Sequence, residues 1–235
     1  MATQAPGFND LWNRLPWVTK HISVGVIVLH LICVLYPYFP LQVWNIPGAP
    51  KWQVYRFVTS AMCTSGNGIG AVLSIFMFCT NLNDLESNFM RSRSRPLYYL
   101  AFITLVYHIL GPRFHIYCYL DGIISALTWT LSQEEPFGMI NVVVIPVQRR
   151  YAPLVQLGIA FLAGNGLRGL IDPLLGFFAA HMFMYITEIV PDCGGPQWLR
   201  QTPYLFTYPD RLEAEQQKAR EYGSGYKLGK EKKNR

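Results

Sequence analysis

The sequence predicts an all-α polytopic membrane protein, and three observations carry that prediction. Charged residues make up only 14% of a 235-residue chain that is 51% hydrophobic, with a mean hydropathy of +0.18, a balance too poor in charge across its middle for a water-facing surface. Six apolar runs, at about 22–39, 69–80, 97–110, 116–131, 154–162 and 170–190, are separated by clusters of Pro, Gly, Asn and charge. Basic residues favour alternate connections. Arg14 and Lys20, then Arg91, Arg93 and Arg95, then Arg149, Arg150 and the basic tail fall on one side, against Lys51, Arg56, Arg113 and Arg168 on the other. Six spans return both ends to the same side, and the positive-inside rule makes that side the cytosol.

Taken in order, the first run has no basic flank, short apolar core and small-residue cleavage site before it, so it is expected to target itself and to stay in the mature protein. The following stretch, WNIPGAPKWQVYRFVTSAMCTSGNG, is dense in Trp, Pro and Gly and reads as a compact luminal loop. The third run covers about 21 Å of a hydrocarbon core that needs roughly 30 Å. Either its ends are clipped by polar residues facing the bundle interior, or short spans thin the bilayer locally. The fourth run carries Asp121, read as a group at the luminal mouth with a polar path through the bundle as the alternative. Val142–Ile145 is too short to cross and is followed by Pro146 and two arginines, so it is expected to rest at the cytosolic interface. The sixth run holds His181, an ionisable group in an otherwise apolar helix, which needs either a catalytic partner or a structural role. From Arg200 onward the chain turns polar and reads as an exposed, disordered tail. The expected division is a cytosolic segment at 1–17, a six-transmembrane domain at 18–190 and a cytosolic tail at 191–235.

Cys33, Cys63, Cys79, Cys118 and Cys193 are scattered without CxxC pairs or a histidine at ligand spacing, which argues against a zinc site or a disulfide framework and gives them no redox role. His30, His108 and His115 form no recognisable metal set with Asp121. No metal, no cofactor and no nucleic-acid partner is expected.

Several short segments together resemble the Derlin family, the rhomboid-like pseudoproteases of the endoplasmic reticulum. LPWVTK at 15–20 is similar to the family's Pro-x-x-Thr-basic lead into the first helix, and QVYRFVTS at 53–60 to its Trp-Arg-x-x-Thr motif, here Tyr55, Arg56 and Thr59. DLESNF at 84–89 resembles the Leu-Glu signature that closes the second helix. LLGFFAAHMFMY resembles the Gly-xxx-Gly-His element of the sixth span, here Gly176, Ala180 and His181, and PDCGGPQWLRQTPYLF the segment after it. Two residues depart from the pattern: Tyr55 stands in place of Trp and Ala180 in place of the second Gly. An aromatic ring still neighbours Arg56, and Gly176-xxx-Ala180 remains a small-xxx-small pair that permits close helix approach. The resemblance implies a six-transmembrane rhomboid-like bundle, with Arg56 pinning the luminal loop into the outer leaflet against membrane lipids. An arginine there can also hydrogen-bond several loop carbonyls at once, and this scaffold role is favoured over substrate contact.

A rhomboid-type serine peptidase needs Gly-x-Ser-Gly on the fourth span and a histidine base on the sixth. His181 supplies the histidine. Ser125, however, follows Ile123 and Ile124 and precedes Ala126, so the glycine-flanked serine is missing and no catalytic residue is expected. His181 is then read as a hydrogen-bonded, bundle-facing structural histidine. The tail peptide YGSGYKLG at 222–229 resembles the SHP box by which Derlins bind valosin-containing protein, the cytosolic AAA+ ATPase. Tyr222, Tyr226 and Leu228 supply apolar anchors, and Gly223, Gly225 and Gly229 let the backbone lie flat. A flexible Gly/Ser terminus is the alternative. The expected function is therefore a non-catalytic component of endoplasmic-reticulum-associated degradation that helps misfolded proteins leave the membrane. The resemblance implies a membrane-embedded RING ubiquitin ligase, the ATPase and misfolded substrates as partners, and leaves homo-oligomers open. An active peptidase using Ser125 and His181 is the competing reading. A small-solute transporter would require internal repeats, and none is seen.

Overall fold

The computed structural model describes residues 12, 15–36, 38–44, 55–64, 68–90, 94–142, 145–163, 166–203 and 206–207. Each apolar run contains a helix. The order is α1 (Trp17–Leu35), the single turn α2 (Pro40–Val43), α3 (Tyr55–Ala61), α4 (Ile69–Asp84) extended by a π-helical turn (Leu85–Phe89), α5 (Ser94–Leu110) and α6 (Leu120–Glu134). After a hairpin of β1 (Met139–Val142) and β2 (Ile145–Gln148) come α7 (Ala152–Ala163) and α8 (Ile171–Met184), the latter continued by a π-helical turn (Tyr185–Ile189) into α9 (Val190–Asp192).

Helix α6 is the hub because of what it is made of. Gly122, Ser125, Ala126, Thr128, Thr130 and Ser132 put small side chains on several of its faces and all are buried, so neighbouring backbones can approach closely. Its large residues Leu120, Ile123, Leu127 and Leu131 fill the core with Phe78, Leu82 and Leu85 of the α4 arm and Tyr99, Ile103 and Tyr107 of α5. Phe183 of α8 is cupped by Tyr98, Tyr99 and Phe102, with ring centroids 5.4, 5.0 and 5.4 Å away. Polar groups inside this apolar contact are paired across helices: Asn81 donates to Thr128 Oγ1 at 3.0 Å, and Tyr99 and Thr130 share a hydroxyl bond at 2.8 Å. The peripheral helices are the reverse case. Val28, Leu31, Val34 and Leu35 of α1 and Leu154, Phe161 and Leu162 of α7 are exposed, an apolar outer surface that suits lipid rather than water. Among the described residues, two helical stretches, Trp17–Leu35 and Gly166–Asp192, are long and apolar enough to cross a membrane.

The antiparallel order gives the bundle two ends, distinguished by the two ends of α6. At the C-terminal end of α6, Arg149 is buried, with Nη2 2.7 Å from Asp84 Oδ2 and Nη1 on the Glu135 carboxylate. It ties the hairpin to the last turns of α4 and α6, where a cation also meets the negative ends of both helix dipoles. On the same side Arg95 of α5 reaches Glu188 of the second π-helical turn at 3.0 Å.

One expectation changes, and one alternative that the sequence left open closes. The chain is not wholly helical: 139–142 pair antiparallel with 145–148, Met139 opposite Gln148. Four successive β-branched residues at 142–145 followed by Pro146 disfavour a helix there. The third run was clipped rather than short, since α5 begins at Ser94 and its 17 residues reach about 26 Å; Pro96 is tolerated in a first turn whose amides have no intrahelical acceptor. Helix α7, by contrast, is short in fact, its 12 residues giving about 18 Å. After α9 the chain folds back on itself and reaches α5. Arg200 pairs with Asp192 at 2.6 Å, Gln197 donates to the Pro191 carbonyl at 3.1 Å, and Phe206 lies 5.6 Å from the Tyr98 ring.

Candidate functional site

The seam between α6 and α8 is where a rhomboid-type catalytic pair would lie. Gly176 rests directly on the α6 backbone: a Cβ there would sit 2.3 Å from the Gly122 carbonyl oxygen and 3.0 Å from Ser125 Cβ. Gly122 in turn leaves room for Tyr107, whose hydroxyl would lie 1.8 Å from a Cβ at that position. Ala180 is fully buried one turn along from Gly176. The small-xxx-small pair is thus the contact surface of α8.

Ser125 is sealed into this seam at 0% exposure. Its hydroxyl donates to the Asp121 carbonyl at 3.0 Å and accepts from Gln156 Nε2 of α7 at 2.9 Å. His181 does not meet it. Five residues after Gly176, it is rotated about 140° around the helix from the face that touches Ser125, and it is exposed. The expected bundle-facing, hydrogen-bonded histidine is therefore corrected: the side chain lies on the outer surface of α8, because Gly176 and Ala180 claim the inner one. Ser125→Ala should cost about 1 kcal/mol by stranding the Gln156 amide, and His181→Ala almost nothing. Neither should alter proteolysis of a reporter membrane substrate followed by gel shift, and a cleavage product that disappears with Ser125→Ala would overturn this.

At the N-terminal end of α6, Asp121 and Asp172 occupy the first turns of α6 and α8, where a carboxylate complements the helix dipole. Thr64 donates to Asp121 at 3.1–3.2 Å, and Tyr107 donates to the Asp172 main-chain carbonyl at 2.7 Å. Asp121 is thus at the mouth of the bundle. His108 stacks edge-on to Phe57 at 5.4 Å and His115 Nδ1 lies 3.2 Å from the Tyr117 hydroxyl.

The Tyr55, Arg56 and Thr59 set is a clamp on α2. A one-turn helix leaves its last carbonyls without intrahelical partners, and α3 supplies them. Arg56 Nη1 donates to Trp44 O at 2.7 Å, Thr59 and Ser60 donate to Val43 O at 3.0 and 3.1 Å, and Tyr55 reaches Gln42 O at 3.4 Å. Arg56 was expected to gather several carbonyls. Among the described residues it holds one, and the two hydroxyls take the next. The loop is fixed to the hub by Tyr119 N donating to Ser60 O at 2.8 Å.

One contact between these motifs was not legible in advance. Glu86, buried in the π-helical turn after α4, accepts Val18 N at 3.0 Å, Thr19 N at 2.7 Å and Thr19 Oγ1 at 2.8 Å. It caps the start of α1 from another helix, so LPWVTK and DLESNF are two halves of one joint.

The Der1-like family model matches residues 15–219. The chain belongs to the Der1-like family. It is 25% identical over 210 residues to "DER1-like family member protein 1" of Saccharomyces cerevisiae, covering 82% of this chain and 60% of that protein. It is 26% identical over 212 residues to the "Probable derlin-1 homolog" of Dictyostelium discoideum, covering 86% and 84% of the two chains. The chain therefore spans less than two thirds of the yeast relative's length. The Der1-like match contains the joint, the clamp and the seam. It ends before Tyr222, and the peptide at 222–229, with Tyr222, Gly223, Gly225, Tyr226, Leu228 and Gly229, also lies outside the described residues.

Proposed function

We propose that this Der1-like protein is a non-catalytic component of endoplasmic-reticulum-associated degradation that assists misfolded proteins across the membrane and recruits a cytosolic AAA+ ATPase. The observation that carries the reading is the family match across 15–219. The seam supports its non-catalytic half, since the one serine a rhomboid-type reaction would use is buried and bonded and the histidine faces away from it.

In this reading α1, α4, α5, α6, α7 and α8 are six spans of a rhomboid-like bundle with both termini cytosolic. Among the described basic residues, Lys20, Arg95, Arg149, Arg150 and Arg200 gather towards the α6 C-terminal end, against Arg56, Arg113 and Arg168 at the other, as the positive-inside rule requires of a cytosolic face. A 12-residue α7 covers about 18 Å of a roughly 30 Å core, so the bilayer thins beside it and the cost of bringing polar polypeptide into the membrane falls. The ATPase supplies the force, and a membrane-embedded RING ubiquitin ligase marks the substrate. Valosin-containing protein is the proposed ATPase, bound through 222–229.

Deleting 222–229 is expected to abolish co-purification of the ATPase while the bundle stays folded. Tyr226→Ala or Leu228→Ala weakens the isolated tail peptide by about thirtyfold, the loss of one anchor worth about 2 kcal/mol. A titration of that peptide against the purified ATPase with no dependence on Tyr226 and Leu228 removes the recruitment step from the proposal.

A further inference from the structure

Three of the scattered cysteines come together in the fold. Cys63, just after α3, and Cys118, just before α6, are buried at 4% and 6% exposure in one small cluster with Val43, and Cys33 of α1 packs against it. Cys33 is the member of the three contributed by α1. The cluster lies at the α6 N-terminal end, where Leu120 N donates to Cys63 O at 3.3 Å. No group of three metal-ligating side chains is assembled among the described residues, so the arrangement offers pairwise thiol chemistry. Of the possible pairs, Cys33 with Cys63 is the one that joins α1 to the end of α3, and closing it brings the two sulfurs to about 2.05 Å.

We propose that Cys33 and Cys63 are a luminal oxidation site that closes to a disulfide and fastens the far half of α1 to the clamp loop. The proposal rests on the topology proposed above, which puts this end of the bundle in an oxidising compartment. The oxidant is a disulfide of the glutathione type. The half-buried Cys33 attacks it as thiolate, forming a mixed disulfide and releasing one thiol. Cys63 then gives up its proton, attacks the Cys33 sulfur and expels the second thiol. Two protein thiols are oxidised and one external disulfide is reduced to two thiols.

The placement explains why a fastening is needed there. All four buried residues of α1, Val18, Thr19, Ser23 and Val26, lie in its first ten positions, and Glu86 holds that same end. Leu31, Val34 and Leu35 at the other end are 55%, 65% and 72% exposed. Without the bond the second half of α1 has little packing to keep it on the bundle. With it, α1 is held at both ends.

The test uses the full-length protein in sealed microsomes. Free thiols are blocked, the protein is denatured without reductant, and thiols are counted by mass before and after reduction. The expected result is two of the five cysteines protected until reduction, a proteolytic peptide joining Cys33 to Cys63, loss of that protection in both Cys33→Ser and Cys63→Ser, and its retention in Cys118→Ser. Reduction is expected to raise hydrogen exchange at 27–35 but not in α6. Five reactive thiols, or a cross-link through Cys118, overturns the pairing. A parallel sample is solubilised and treated with oxidised glutathione. A bond formed only there overturns the luminal disulfide. Terminal tags digested in the sealed vesicles then show that the topology stands and the oxidation alone fails, whereas protected tags place the fault in the topology.

Discussion

Gly176→Val is expected to leave little stably folded protein. The position is set by main chain, not by a side chain that can swing away: a Cβ at Gly176 would stand 2.3 Å from the carbonyl oxygen of Gly122 and 3.2 Å from the amide nitrogen of Ala126. Overpacking a core costs about 1–3 kcal/mol where side chains can shift. Here α8 itself must back away from α6, and with it Ala180, Phe183 and the aromatic cup of α5, so the cost exceeds that range. Gly176→Ala meets the same oxygen and is expected to be destabilised in the same direction by less. Ala180→Gly keeps the approach open and costs about 1–2 kcal/mol, from helix propensity and the lost burial of one methyl. Thermal unfolding of the detergent-solubilised proteins ranks the three. A Gly176→Val protein that melts with the wild type would show that the seam is not close-packed.

Glu86→Ala is expected to release the start of α1. The carboxylate is 6% exposed and accepts two main-chain amides and one hydroxyl at 2.7–3.0 Å. Hydrogen bonds to a charged group are worth about 1.5–3 kcal/mol each and are not additive in a shared site, so the expected loss is about 3 kcal/mol. Glu86→Gln keeps one of the two acceptor oxygens, gives up the charge and turns an NH2 toward the remaining donor, so more than half of that loss is expected. Hydrogen exchange read by segment separates this from general destabilisation. Amides at 17–26 should exchange faster in Glu86→Ala while those of α6 keep their protection. Equal exchange at 17–26 in mutant and wild type would mean that packing of Val18 and Val26, rather than the cap, holds the helix.

Much of this architecture could be read from the residues, and the places where reading stopped share a cause. The six apolar runs each located a helix among the described residues, because a stretch of that composition has no stable place except inside a protein or a bilayer. Gly176 and Ala180 announced their contact because small side chains four residues apart are what a close helix crossing needs. Even the clamp was half legible: Arg56 in a loop rich in Trp and Pro pointed to carbonyls, though not to α2 as their source, since a single turn around Pro40 leaves almost no periodic signal.

Which way each helix faces was not written in the same manner. In a water-soluble protein the contrast between polar and apolar sides of a helix reports the direction of the core. In a chain built for lipid both sides are apolar, and α1 and α5 show little contrast around their circumference. His181 was placed inward by its neighbours in sequence, yet five residues beyond Gly176 it is carried to the outer surface by the 3.6-residue turn of the helix. Glu86 meeting Val18 and Thr19 across 67–68 positions, and Cys33 joining the cluster of Cys63 and Cys118, depend on how α1, α4 and α3 are laid against α6. By itself, then, the sequence determined the helices, the small-residue contact and the family to which the motifs belong. The tertiary structure alone decided facing and partnership, because without water on one side those are set by backbone approach and by the few polar bonds that close between helices.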